Sequence, residues 1–155
     1  VVNSRAIFEF LMGEGRDLYE NGGAARRFQD AVLTNLLHTS IVSGFADGSG
    51  QLAVAHATYD FLRTHHTEAS YHFLHGEMVA VGLLVQMAYN GSSQEEIQAV
   101  RSLMADMHMP LTLADLEYDC SGAQRDFFLQ TIAADANITT PADMSLLRAA
   151  LEEAL

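Results

Sequence analysis

Seven histidines stand at His38, His56, His65, His66, His72, His75 and His108, and five of them fall between His56 and His75. Imidazole binds transition metals and moves protons near neutral pH, so such a cluster is the first candidate for chemistry. Two of the seven have a distinctive setting. His56 lies among Leu52, Ala53, Val54, Ala55 and Ala57, mid-helix by pattern, and His75 lies beside Gly76 and Glu77 where an apolar helix begins. Small neighbours let another group approach either ring. Two helix-borne histidines 19 positions apart suit adjacent antiparallel helices joined by a connection at 65–69, with a metal between them.

The spacing leaves a second reading open, in which each ring is a hydrogen-bonded core histidine. A catalytic zinc commonly takes three protein ligands and keeps one open position, and the spacing identifies no third ligand. His65, His66 and His72 lie in or beside a polar connection, where solvated surface histidines are ordinary. Asp60, four residues after His56, is at most a hydrogen-bonding partner behind it. The helix dipole accounts for Glu77. Cys120 has no neighbouring base in the sequence, and Met78, Met87, Met104 and Met107 fall at helical spacings that suit core packing.

The elements that must position these residues are helices. Two prolines, no Trp and long runs of Ala, Leu and Met favour an all-α multi-helix bundle. A stripe of Ile7, Phe8, Phe10, Leu11 and Leu18 predicts a helix over 4–19, weakened by Gly13 and Gly15. After Asn21-Gly22-Gly23, a second helix is expected over 24–43, then a loop at 44–50. Helices at 52–64 and 73–89 follow, the latter apolar enough to be buried on most sides. Ser92 and Glu95 have capping-box spacing for a helix with Ile97, Val100, Leu103, Met104 and Met107 on one face, closed by Pro110. The last two helices are expected over 122–136, with Ser121 as N-cap, and from Thr140-Pro141-Ala142-Asp143 onward. Six or seven helices, no strand, no repeat and no linker predict one helical domain over 1–155.

Composition narrows the partners. The 155 residues carry 8 Lys and Arg against 20 Asp and Glu, a formal charge of −12. That excess argues against nucleic acid, whose phosphates demand a basic face, and against an anionic membrane surface. At 49% hydrophobic and 18% charged, the chain is too apolar for disorder. One cysteine permits no internal disulfide, and neither a signal peptide nor a spanning segment is evident, so the cytoplasm is expected. Gly13-Glu14-Gly15 lacks the preceding strand and third glycine of a dinucleotide turn.

The run Leu52-Ala53-Val54-Ala55-His56-Ala57, followed by His75-Gly76-Glu77-Met78-Val79-Ala80-Val81-Gly82-Leu83-Leu84-Val85-Gln86, resembles the C-terminal domain of the glycerol dehydrogenase branch of the iron-containing alcohol dehydrogenase superfamily. The likeness extends through Ser43-Gly44-Phe45, Met109 to Leu116 and Thr140 to Asp143. In that family a helical domain packs against an NAD-binding α/β domain, with a divalent metal in the cleft. The resemblance therefore implies that His56 and His75 are metal ligands, for zinc or ferrous iron. It also implies a small alcohol or polyol substrate and hydride transfer to NAD.

The family's third ligand, an aspartate, and its nucleotide domain belong to segments ahead of the first residue here. The resemblance thus implies that NAD binds only in a full-length parent, and that this chain alone is inactive. An exposed apolar face is expected where the missing domain docks, or where the chain self-associates. The loop at 46–50 is longer than in close glycerol dehydrogenases, which leaves the substrate open. Two other readings remain: a free-standing, non-catalytic helical binding or assembly module derived from the family, and a zinc hydrolase, for which no HExxH spacing is present.

Overall fold

The computed structural model describes residues 2–38, 40–41 and 53–154, so the expected loop at 44–50 lies outside the described residues. Among these residues there are helices and turns and no strand. Two compact units divide the chain, 1–50 and 51–155.

In the first unit, α1 (Val2–Asn21) carries the expected helix through Gly13 and Gly15. Side-chain pairs one turn apart brace it, Arg5 with Glu9 at 2.8 Å and Asn21 with Asp17 at 2.7 Å. The expected helix over 24–43 is instead broken into pieces. A 3₁₀ turn at Gly22–Ala24 gives way to extended Ala25, α2 spans only Phe28–Leu33, and π-type winding follows at Thr34–His38. Gly22, at φ 52°, redirects the chain there, and the Ala25 N–H closes the turn onto its carbonyl at 3.0 Å. Arg26 reaches Glu14 at 3.3 Å, and the Arg27 guanidinium lies 5.3 Å from the centre of the Phe10 ring, so the turn is pinned back on α1.

The second unit holds α3 (Val54–His65), α4 (Thr67–Ser70), α5 (His75–Tyr89), α6 (Gln94–Asp106), α7 (Gly122–Asp135) and α8 (Pro141–Ala154). The α3–α5 contact is the most extensive, and α5 also packs on α8 while α3 packs on α7. Phe61, Met78, Leu84, Phe128, Ile132 and Leu147 fill the core between them. The apolar pattern predicts α5 buried on most sides, but the structure buries one side, with Met78, Val81, Gly82, Leu84 and Val85 inside and Leu83 38% exposed.

Three helices of this unit end by one device. Gly91, His108 and Asn137 take φ of 75°, 56° and 54°. The next residue's N–H then reaches back to the helix, from Ser92 to Met87 at 2.9 Å, Met109 to Met104 at 2.9 Å and Ile138 to Ala133 at 2.7 Å. Because Ser92 is used in ending α5, the cap of α6 falls on Ser93, one residue later than expected. Ser93 Oγ accepts the Glu96 N–H at 3.2 Å, and Glu96 accepts the Ser93 N–H at 3.4 Å. Thr140 caps α8 as expected, accepting the Asp143 N–H at 3.1 Å. No helix among the described residues is long and apolar enough to cross a membrane.

Candidate metal site

His56 is not mid-helix. The α3 helix starts at Val54, after extended Ala53, so His56 sits in its first turn. Alanine cannot cap, and the orphan N–H of Ala55 is instead taken by the Gln86 side-chain carbonyl of α5 at 3.1 Å. His75 opens α5. There the Glu77 carboxylate accepts the Leu74 N–H at 2.7 Å, which gives this acidic residue a structural task at the helix start.

Gly82 sets how closely the two helices approach. A Cβ at that position would lie 2.7 Å from the Ala55 carbonyl oxygen and 2.8 Å from Thr58 Cβ. Thr58 is fully buried, and its hydroxyl donates to the Val54 carbonyl at 2.9 Å within its own helix. Contacts run in opposite order along the two helices, Ala55 near Gln86 and Tyr59 near His75, as in an antiparallel pair.

The result is a pair of facing imidazoles. The ring centres of His56 and His75 are 5.9 Å apart with a tilt of 54°. Tyr59, one turn beyond His56, meets the His75 ring edge to face with centres 4.2 Å apart. Both imidazoles are exposed, and among the described residues neither has a hydrogen-bond partner. Two imidazoles on one tetrahedral ion, at metal–nitrogen distances of about 2 Å, bring their ring centres to about 5 Å. The observed 5.9 Å is close to that spacing and somewhat longer than it. The pair's donor set is incomplete: among the described residues no group of three or more His, Cys, Asp or Glu side chains is arranged to hold a metal. Asp60 makes no hydrogen bond to either ring among these residues.

The neighbouring histidines have other work. His66 Nε2 donates to the Glu117 carbonyl at 3.0 Å, which fixes its proton on that nitrogen because a carbonyl only accepts. His72 Nδ1 lies 3.1 Å from a Glu117 carboxylate oxygen. His65 packs on Phe61 and Phe127, with ring centres 5.1 and 5.0 Å away. The polar connection predicted surface histidines there but not Glu117, which is 45 positions from His72 and held at φ 61°. Burial pushes the Cys120 thiol up, in keeping with a structural residue. The buried Tyr118 phenol is pushed up to about 12 and donates to the Gln124 carbonyl at 2.9 Å. Gly13 and Gly15 lie inside α1 and form no phosphate turn.

No protein-family model matches the chain. It is 42% identical over 119 residues to a glycerol dehydrogenase of Pseudomonas putida, a match covering 74% of this chain and 30% of that protein. A glycerol dehydrogenase of Citrobacter freundii is 30% identical over 118 residues, covering 73% of the chain and 30% of the relative. Hydroxycarboxylate dehydrogenase A of Escherichia coli K12 is 31% identical over 121 residues, with 76% and 32% covered. An all-α bundle with these relatives is a dehydrogenase-family segment. More narrowly, the chain is similar to glycerol dehydrogenases at 30–42% identity, consistent with a C-terminal fragment of a glycerol dehydrogenase-like protein. It spans about a third of the length of the relatives it matches.

Proposed function

We propose that the chain is the metal-binding helical part of an NAD-dependent alcohol or polyol dehydrogenase resembling glycerol dehydrogenase, with His56 and His75 as two of the metal's ligands. The facing pair carries this reading: two imidazoles 19 positions apart in sequence stand 5.9 Å apart, exposed and free of competing hydrogen bonds among the described residues. Zinc or ferrous iron at that point would act as a Lewis acid on the substrate hydroxyl, favouring loss of its proton as hydride leaves for the nicotinamide. Within this chain, His56 and His75 present the lone pairs, and Tyr59 backs the His75 ring. The exposed side of the pair leaves room for a third protein ligand and the substrate. Among the described residues there are two candidate ligand arms and no phosphate turn. The chain is therefore read as inactive by itself, with NAD bound elsewhere in a longer cytoplasmic protein. Apolar side chains left exposed in the first unit, such as Leu33 and Leu36, are read as docking surface for the rest of that protein or a second copy.

Zinc titration with a competing chromogenic chelator tests the ligand assignment. His56→Ala and His75→Ala are each expected to abolish measurable binding while the helical circular dichroism stays unchanged. Wild-type zinc affinity in both variants would overturn the assignment. In the full-length protein, the same substitutions are expected to remove NAD-dependent oxidation of glycerol and related polyols.

A further inference from the structure

A helix whose first residues carry a metal ligand must have a fixed start, because fraying there moves the ligand directly. The start of α3 has no local cap. Ala53 offers no side-chain acceptor, and Ala55 is only 4% exposed, so water is a poor substitute partner for its N–H. Gln86 Oε1 supplies the acceptor at 3.1 Å, from the helix that begins with His75. One turn before Gln86, the bare backbone of Gly82 lies against Ala55 and Thr58, so the amide arm has little room to shift. His56 is the next residue after Ala55.

We propose that Gln86 is a positioning residue for the metal site: by capping α3 from the neighbouring helix, it holds His56 in register with His75. The proposal rests on the metal-site reading above. It requires an acceptor of the right length at position 86. Glutamate meets that requirement and suits the positive end of α3, whereas methionine keeps the shape and lacks a good acceptor.

The test uses the 155-residue chain with zinc chloride as the probe, at a temperature where circular dichroism shows every variant folded. Three readouts are taken: zinc affinity by chelator competition, exchange of the Ala55 amide, and the nuclear Overhauser effect between the His56 and His75 rings, which needs no metal. Gln86→Met is expected to accelerate Ala55 exchange, weaken or remove the ring-to-ring effect and lower zinc affinity about tenfold. Gln86→Glu is expected to restore all three readouts, with zinc affinity within about twofold of wild type. If Gln86→Met does not fold, Gln86→Asn, one methylene too short, replaces it with the same expected direction. A folded acceptor-deficient variant with wild-type affinity and an intact ring-to-ring effect would overturn the proposal, even if its melting temperature fell. His56→Ala in the same titration separates the two readings. Retained zinc affinity there refutes the metal site and with it the role of Gln86. Loss of zinc there, beside an unaffected Gln86→Met, refutes the positioning role alone.

Discussion

Two pairs of histidines, His66 with His72 and His56 with His75, differ in what the imidazoles face. His66 and His72 turn toward one residue, Glu117, which takes a hydrogen bond on its carbonyl and another on its carboxylate. His56 and His75 turn toward each other, with no acceptor or carboxylate hydrogen-bonded to either ring among the described residues. A hydrogen bond at one ring nitrogen leaves the other with its lone pair, so the contrast lies in proximity: the His56 and His75 ring centres are 5.9 Å apart, near the spacing of two imidazoles on one ion. Density of histidines in the sequence therefore marks the neighbourhood, and the distance between rings picks out the pair.

Substitution of one ring in each cluster breaks or sharpens this contrast most strongly. His56→Ala or His75→Ala is expected to cost more than about a hundredfold in zinc affinity, since loss of one arm leaves a single imidazole. His66→Ala and His72→Ala are expected to leave that affinity within about twofold. Equal losses in both clusters, measured by chelator competition, would show that zinc does not discriminate between them.

The next effect tests the approach of the helices. With a Cβ 2.7 Å from the Ala55 carbonyl oxygen, Gly82→Ala must push α5 away from α3. It is expected to destabilise the chain by about 1–3 kcal/mol in urea unfolding and to weaken zinc binding as the rings part. The clash is with backbone and a buried side chain, neither of which has a flexible end to yield. An unaltered denaturation midpoint would mean the helices have slack, and the ring separation would then need another explanation.

Much of this was legible in the residues. The apolar run of α5, the Thr140 cap and the pairing of His56 with His75 across adjacent helices follow from local pattern and spacing. What escaped was non-local. The helix from Val54 starts where a carbonyl 31 positions away reaches Ala55, and no residue near Val54 announces it. Ser92 has the right spacing for a cap, yet its N–H ends the preceding helix, so the cap moves to Ser93. In the first unit, the periodicity of α1 and α2 predicts helical faces but not what covers them. Among its described residues only Gly15 and Ala25 are buried, while Val32, Leu33 and Leu36 stay exposed. Periodicity specifies a stripe, and the partner of the stripe is a separate piece of information.

A smaller effect concerns the turn that presents Glu117. Asp115 accepts the Leu111 and Thr112 N–H groups, both at 3.0 Å, and these bonds, led by that from Leu111, hold its carboxyl below the usual carboxylate range. A depressed folded pKa makes the stabilisation fully present above the unfolded value of about 4, and it is lost as pH falls through the lower folded value. Asp115→Ala is expected to cost about 1 kcal/mol at neutral pH, with the two proteins converging in acid. A gap independent of pH would locate the effect in packing and not in the ionised cap.

The smallest effect is expected at Glu117 itself, because two contributions oppose. Its side chain pairs with His72, but those groups are 52% and 65% exposed, and solvent screening leaves such a pair worth under about 1 kcal/mol. Its backbone sits at φ 61°, where a residue with a Cβ is strained by about 1 kcal/mol and glycine is not. Glu117→Gly removes the pair and the strain together while keeping the carbonyl that His66 uses. Stability is therefore expected to stay within about 0.5 kcal/mol of wild type or rise slightly, with zinc affinity unchanged. Destabilisation beyond about 1 kcal/mol in urea unfolding would mean the His72 pair is stronger than its exposure allows. The cluster around Glu117 would then be a structural keystone, and not the weak surface contact that sets it apart from the facing pair.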